Sequence, residues 1–357
     1  MKTIILVGAG HSHLHILREW KREPLPNCRL VLISPSPFQY YSGMISGFAE
    51  GLYALEETRV PLIPYSRITG TEFIQDTIVR VDAEQKVLFG SKGISYSYDL
   101  VSFDIGTFIQ IPEQFKQLSS PLKPSYHMVE AVPAFRETEA PVVIGGGAAA
   151  VEMAFSIQSW RTANGYPTPV ALISSSTLLE GTSQSDHIRN EFRHMGLVWF
   201  EGDEVEEVHS SYVRTRNGRS IPCTSMLWLT GPQSFTLFKD SGLAETDGFL
   251  NVNESLQSTD NASIFAAGDC LHFTTSEGGL AKNDVHAVKQ GPVLWYNLQS
   301  MIVGRPLKAY QPSKQQLTIL SLGNRRGLAL YGKFHWTGRA AWLLKNKMDR
   351  DFMNRYR

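Results

Sequence analysis

Three histidines follow a pair of glycines near the start of the chain, in Gly8-Ala9-Gly10-His11-Ser12-His13-Leu14-His15. Two chemistries fit such a cluster. On a helix, His11 and His15 stand four apart on one face and could begin a metal site. No nearby glutamate or cysteine completes a set of three or four ligands, so no metal is expected here. The other chemistry is phosphate binding. In a Gly-x-Gly turn the first glycine permits a tight bend and the second lets backbone approach a pyrophosphate. The following helix N-terminus then faces the anion. The third position, normally small, is His13 here, and His11 becomes a polar neighbour of the phosphates.

Such a turn works only between a strand and a helix. Thr3–Val7 reads as a buried parallel strand, Ser12–Lys21 as a helix, and 29–33 as a second strand. The unit recurs downstream. Pro141–Ile144 leads into Gly145-Gly146-Gly147-Ala148-Ala149-Ala150, a helical stretch runs to about Asn164, and 170–173 is a strand. Ala150 holds the third position, an accepted substitute for glycine. After each unit come short alternating strands: TEFIQDTIVRVD and KVLFG in the first half, LVWFEGDEVEEV and SYVRTRNGRSIP in the second. Asn217-Gly218 marks a hairpin. Each half closes on a strand ending in glycine, SFDIGT (102–107) and LWLTG (227–231). The expected fold is therefore α/β, two dinucleotide-binding Rossmann-like domains, each with a small antiparallel meander. The domains are expected at 1–122 with 241–310 and at 123–240, the crossing lying near Pro121–Pro124 and Pro133. Residues 311–357 form a C-terminal segment of helix and strand.

In such domains an acid at the end of the second strand binds the adenosine ribose. Here those ends read LISPS and LISSS, placing Ser34 and Ser174 at the ribose. Neither a carboxylate nor an adjacent arginine sorts NADH from NADPH.

The bulk composition is ordinary. The chain has 357 residues, 42% hydrophobic and 19% charged. Its three cysteines, Cys28, Cys223 and Cys270, lie too far apart for a CxxC pair, which points to a reducing, cytoplasmic setting. No apolar run is long enough to span a membrane. The zero net charge conceals an asymmetry. Residues 301–357 hold 12 lysines and arginines against 2 acids, while residues 1–300 hold 22 against 32. A basic tail suits an acidic surface.

SIFAAGDC (263–270) closely resembles the Gly-Asp signature of two-dinucleotide flavoproteins. Further segments resemble the branch of type II NADH dehydrogenases and sulfide:quinone oxidoreductases, nearest the NADH dehydrogenase-like flavoproteins fused to selenide, water dikinase. They are VGAGHSHLHIL, YYSGMISGFAEGLY, GGGAAAVEMA, AVKQGPVLWYNL, LTILSLGNRRGLALYG and MDRDFMNRYR. The resemblance implies FAD in the first half, held by Gly8, Gly10, His11, Ser12, His13, Ser34, Ser42, Gly43, Ile78, Gly106, Thr107, Gly268 and Asp269. It implies NAD(P)H in the second, held by Gly145, Gly147, Ala150, Ser174 and Gly231. It also implies hydride transfer to FAD and electron delivery to a quinone-like acceptor. Glu152 would approach the flavin–nicotinamide contact, and Lys282 the flavin edge. His286 and Gln290 stand where related enzymes carry a glutamine-rich quinone motif. Paired cysteines for sulfide oxidation are missing. A soluble diaphorase or carrier-protein reductase, and a non-catalytic redox sensor, fit the same cofactors.

In residues 340–357 Leu344, Met348, Phe352 and Tyr356 recur every four positions, with Trp342 and Met353 near them. Lys345, Lys347, Arg350, Arg355 and Arg357 lie mostly elsewhere on the wheel. Residues 338–357 thus read as a basic amphipathic helix able to lie on the inner face of the cell membrane. The same stripe would also suit packing on the enzyme body or a homodimer contact. Nucleic acid is not an expected partner.

Overall fold

A computed structural model describes residues 1–180, 182–275, 278–280, 282, 284–313 and 315–356. Two five-stranded parallel sheets carry the chain. In the first, Lys2–Val7 lies centrally between Cys28–Ser34 and Leu100–Phe103, with Glu72–Gln75 and Ile264–Ala266 outermost. Its inner strands are apolar on both faces because helices cover both, so Ile4, Ile5, Leu6, Leu32 and Phe103 are buried without alternation. In the second, Pro141–Ile144 is central between Ala171–Ser174 and Ser225–Trp228, with Val198–Glu201 and Ser119–Pro121 outermost. Each half adds a three-stranded antiparallel meander, over residues 78–97 and 205–222. The fold is the doubled dinucleotide-binding α/β architecture that the repeated turns imply.

Three details differ from the sequence reading. Glu72–Gln75 and Val198–Glu201 join the parallel sheets as edge strands, not the meanders. An edge strand with one wet face alternates just as a meander strand does, so periodicity cannot separate them. The crossings lie earlier than the prolines suggest. Phe108 and Gln233 exchange two backbone hydrogen bonds, of 3.0 and 2.8 Å, and Ser119–Pro121 already pairs into the second sheet. Pro133 sits inside the helix Met128–Glu137, not in a linker.

The C-terminal segment straps the halves together. Strands Leu317–Ser321, Gly327–Tyr331 and Phe334–Gly338 form an antiparallel sheet, followed by the helix Arg339–Met353. Leu320, Leu322 and Leu328 join the second core, while Phe352, Met353 and Tyr356 join the first. The anticipated apolar stripe is therefore split. Phe352 stacks on Tyr41 at 4.2 Å between ring centroids, and Tyr356 meets Tyr65. Met348 stays 46% exposed. Lys345, expected on the solvent side, is buried against the body. The end of this helix is thus a packing element and not an interfacial stripe; Arg357 lies outside the described residues. Among the described residues no helix is long and apolar enough to cross a membrane.

Candidate functional site

A cleft of about 520 Å³ runs past the C-terminal ends of the first sheet. Gly8, Gly10, His11, Ser34, Ser42, Ile78, Gly106, Thr107, Gly268 and Asp269 all line it. The topology explains this. Parallel strands deliver their following turns to one edge, so residues far apart in the chain meet there. Gly8, at φ +83°, adopts a left-handed conformation, and a Cβ on it would enter the backbone of Asp104. At Gly10 the constraint is the close approach of the Asp104 carboxyl group. The second glycine thus accommodates a buried side chain, a role the pyrophosphate reading did not foresee.

Asp104 itself was not singled out from sequence. Its Oδ2 accepts hydrogen bonds from the amides of Ser12 (2.9 Å) and His13 (3.3 Å), at the start of the helix His11–Arg22. Burial pushes its pKa up to about 8, and Asp269 and Asp284 raise it further against the two amides. Ser12, His13 and Gly43 do not line the cleft. Ser12 Oγ donates to the Ala287 carbonyl, and Gly43 gives its carbonyl to Lys345. The His13 ring bridges the Gly8 carbonyl (2.6 Å) and Ser102 Oγ (2.9 Å), where burial lowers its pKa to about 4. It is a neutral buttress behind the turn.

Neither member of the anticipated acceptor pair lines the cleft. The His286 ring bonds the Tyr310 hydroxyl and Gln316 Nε2, both at 2.8 Å. Gln290 is fully buried, and its Oε1 accepts the Gly268 amide at 2.7 Å. Lys282 points to the Leu271 carbonyl and lies over the Phe249 ring, not at the cleft. Gln290 therefore holds the Gly268 turn. Gln290→Leu strands that amide, at about 1–3 kcal/mol for an unpaired buried donor. The expected result is weaker flavin retention at equilibrium dialysis. Normal retention with a slowed acceptor step would instead restore the acceptor role.

Glu152 gains a setting that the sequence did not disclose. Its carboxylate is buried at the junction of the two halves and the tail, accepting from the Ser321 amide (2.6 Å) and Ser46 Oγ (3.4 Å). Burial raises its pKa, with Lys345 acting in the other direction. Lys345 bonds Asp349 at 2.8 Å and also faces Glu152. Burial opposes the Lys345 charge, but Asp349 and Glu152 more than offset this and its pKa lies above the ordinary value. Burial likewise raises Asp349, which accepts from the Tyr41 hydroxyl. The i, i+4 spacing of Lys345 and Asp349 was a signal for this pair, obscured by reading the lysine as a solvated charge.

In the second half Gly145, at φ +133°, abuts the Leu229 carbonyl, and Ala150 is fully buried beneath it. Open space surrounds Gly147 and Gly231. Ser174 Oγ donates to the Ser176 carbonyl, turning the strand end. An acid does stand beside that end, on the neighbouring strand: Glu201 pairs with Ser174 in register. It accepts the Leu178 amide at 2.9 Å and binds Arg189, which also holds Asp186. An arginine is thus nearby, but neutralised.

The family model described as pyridine nucleotide-disulphide oxidoreductase matches residues 2–299. Ferroptosis suppressor protein 1 of Taeniopygia guttata is 25% identical over 303 residues, spanning 79% of this chain and 75% of that protein. The type II NADH:quinone oxidoreductase of Haemophilus influenzae is 25% identical over 208 residues, 54% of this chain and 47% of that one. Among solved structures, the sulfide:quinone oxidoreductase of Aquifex aeolicus superposes with a TM-score of 0.83 at 19% identity, covering 100% of this chain and 92% of that one. NDH2 of Plasmodium falciparum, solved with NADH, gives 0.83 at 12% identity, covering 99% and 96%.

Proposed function

The chain belongs to the pyridine nucleotide-disulphide oxidoreductase family and uses FAD and NAD(P)H; from that premise we propose that it carries electrons from NAD(P)H to a quinone-like acceptor. The carrying observation is the cleft of the first half, where glycines at 8, 10, 106 and 268 converge with Asp269. These residues fit the pyrophosphate and ribityl chain of FAD: glycine backbone lines the cleft beside the Asp269 carboxylate, with Gly8, Gly10 and Gly268 packed on Asp104 behind it. Bound there, FAD supplies a centre that takes a hydride from reduced nicotinamide and gives two electrons to the acceptor.

The chain's own residues orient and tune. Lys123 bonds Asp269 at 2.9 Å and Thr107 at 3.2 Å, bringing a cation to a cleft otherwise lined by Asp76, Asp104, Asp240, Asp269 and Asp284. The turn at Gly145–Gly147 supports NAD(P)H on the second half. Glu152, with Lys345 beside it, supplies paired charge at the junction where the two dinucleotides would meet. Dithiol chemistry does not fit: all three cysteines are free, and burial pushes the Cys270 thiol up to about 12.

A membrane-dissolved acceptor needs a docking surface, and we assign this to the C-terminal hairpin instead of the helix stripe. Phe334 is 77% exposed, with Tyr331, Trp336 and Leu343 also standing out beside Lys333 and Arg339. Aromatic and basic residues together suit a lipid interface. The test compares NADH oxidation with a short, water-soluble quinone and with a long-chain quinone in anionic vesicles. Phe334→Ser with Trp336→Ser is expected to slow the second reaction several-fold and spare the first. No quinone-dependent turnover with either substrate, alongside reduction of a protein acceptor, would favour the carrier-protein reductase.

A further inference from the structure

We propose that Asp104 is a cofactor-positioning residue that works as the neutral carboxylic acid, closing the amide cradle of the first helix and turning an O–H toward the FAD pyrophosphate. The proposal rests on the FAD reading of the cleft. A helix N-terminus ordinarily leaves its amides for the anion. Here Oδ2 of Asp104 already accepts two of them, from Ser12 and His13. Among the described residues Oδ1 accepts no hydrogen bond, though Asp104 lines the cleft. The carboxyl is only 4% exposed, and it is wedged against Gly10 and Gly268 so closely that a Cβ at either would strike it.

An ionised carboxylate there would face a pyrophosphate with only the two amides on Oδ2, and no cation, to compensate it. From the first turn, the His13 ring is neutral and engaged elsewhere, while the His11 ring lies against Tyr41 and Phe352. From the turn after the last parallel strand come Asp269, held by Lys123, and the Cys270 thiol. From the helix Asp284–Val303 comes Asp284, bonded to Ser42. Among the described residues no cation pairs with Asp104. With Oδ2 occupied as an acceptor, a proton belongs on Oδ1, where it makes a donor for a phosphate oxygen.

Burial already holds the acid's pKa at about 8 before any anion binds. A bound pyrophosphate raises it further, so FAD binds the protonated protein better. Retention is then constant at neutral pH and weakens as pH rises through about 8. Each further pH unit is expected to cost roughly tenfold in affinity until the loaded protein also ionises.

The experiment follows flavin release by fluorescence from the purified holoprotein, between about pH 6.5 and about pH 9.5. Wild type should lose affinity in the alkaline limb, whereas Asp104→Asn, neutral at every pH, should bind FAD with a flat profile. Binding of FAD to the wild-type apoprotein at about pH 9 should also take up about one proton, and almost none at about pH 6.5. This second measurement needs no variant to fold. A flat wild-type profile, an Asp104→Asn profile that tracks wild type, or binding at alkaline pH without proton uptake would overturn the proposal. A protein that binds no FAD at any pH would instead overturn the reading on which it rests.

Discussion

Gly10→Val yields a folded but colourless protein. Gly10 has φ −62°, which valine adopts freely, so the backbone itself tolerates the change. The obstacle is the Asp104 carboxyl, which occupies the space a Cβ would enter. Asp104 cannot swing away without abandoning the Ser12 and His13 amides and crowding Gly268. Either the turn shifts or the carboxyl moves into the cleft, and both distort the wall of the cofactor site. A displacement of this kind costs about 3 kcal/mol in a packed site, equivalent to roughly a hundredfold in affinity. The measurement is the flavin-to-protein ratio after gel filtration, with a thermal melt to confirm folding. A yellow Gly10→Val protein of normal ratio would mean that the turn does not bound the cofactor.

Lys345→Met should be the most damaging change in the tail. The side chain is 12% exposed, and it faces Asp349, itself 7% exposed, and half-buried Glu152. Removing the cation leaves two carboxylates buried without compensation, a loss of about 3–5 kcal/mol where one partner of a buried pair is deleted. The sign with pH is specific. Both carboxylates already have raised pKa values, and without Lys345 these rise further. Groups with raised folded pKa values favour the folded state at low pH and lose that advantage as pH climbs through them. The variant should therefore melt well below wild type at neutral pH and recover part of the gap in mild acid. Its oxidation of NAD(P)H should fall as well, because Glu152 would lose the cation that balances its charge at the junction. Unchanged stability across pH would show that the pair is solvated in solution.

The doubled architecture was legible because each turn combines local signals: a short apolar run, glycines at fixed offsets and a helix start. Such signals survive without knowledge of the partners across space. Gly106 and Asp269 carry the same kind of local signal, and both line the cleft. Asp104 was not legible, although it sits in the same SFDIGT stretch, since its role comes from the Gly10 turn packing onto it across 94 positions of sequence. Gln290 and His286 share the helix Asp284–Val303, as their spacing implies, and bond Gly268, Tyr310 and Gln316 there. Spacing fixes which residues share a helix face, yet not what that face meets. Lys345 shows the converse. A basic residue within an amphipathic pattern reads as solvated, and only the tail's return across both cores buries it. The edge strands at 72–75 and 198–201 have the same alternation in either sheet, and sheet membership is decided by long-range pairing.

The central claim, that one FAD in the first half takes electrons from NAD(P)H held by the second, is tested most directly by an anaerobic titration. Purified holoprotein should contain about one FAD per chain, because only the first half joins its glycine turn to Gly268-Asp269. Adding NADH or NADPH without oxygen should bleach the flavin's visible absorption with about one equivalent, since each transfers two electrons. A short-chain quinone should then restore the colour. Flavin that stays oxidised under excess NADH and NADPH would contradict the account.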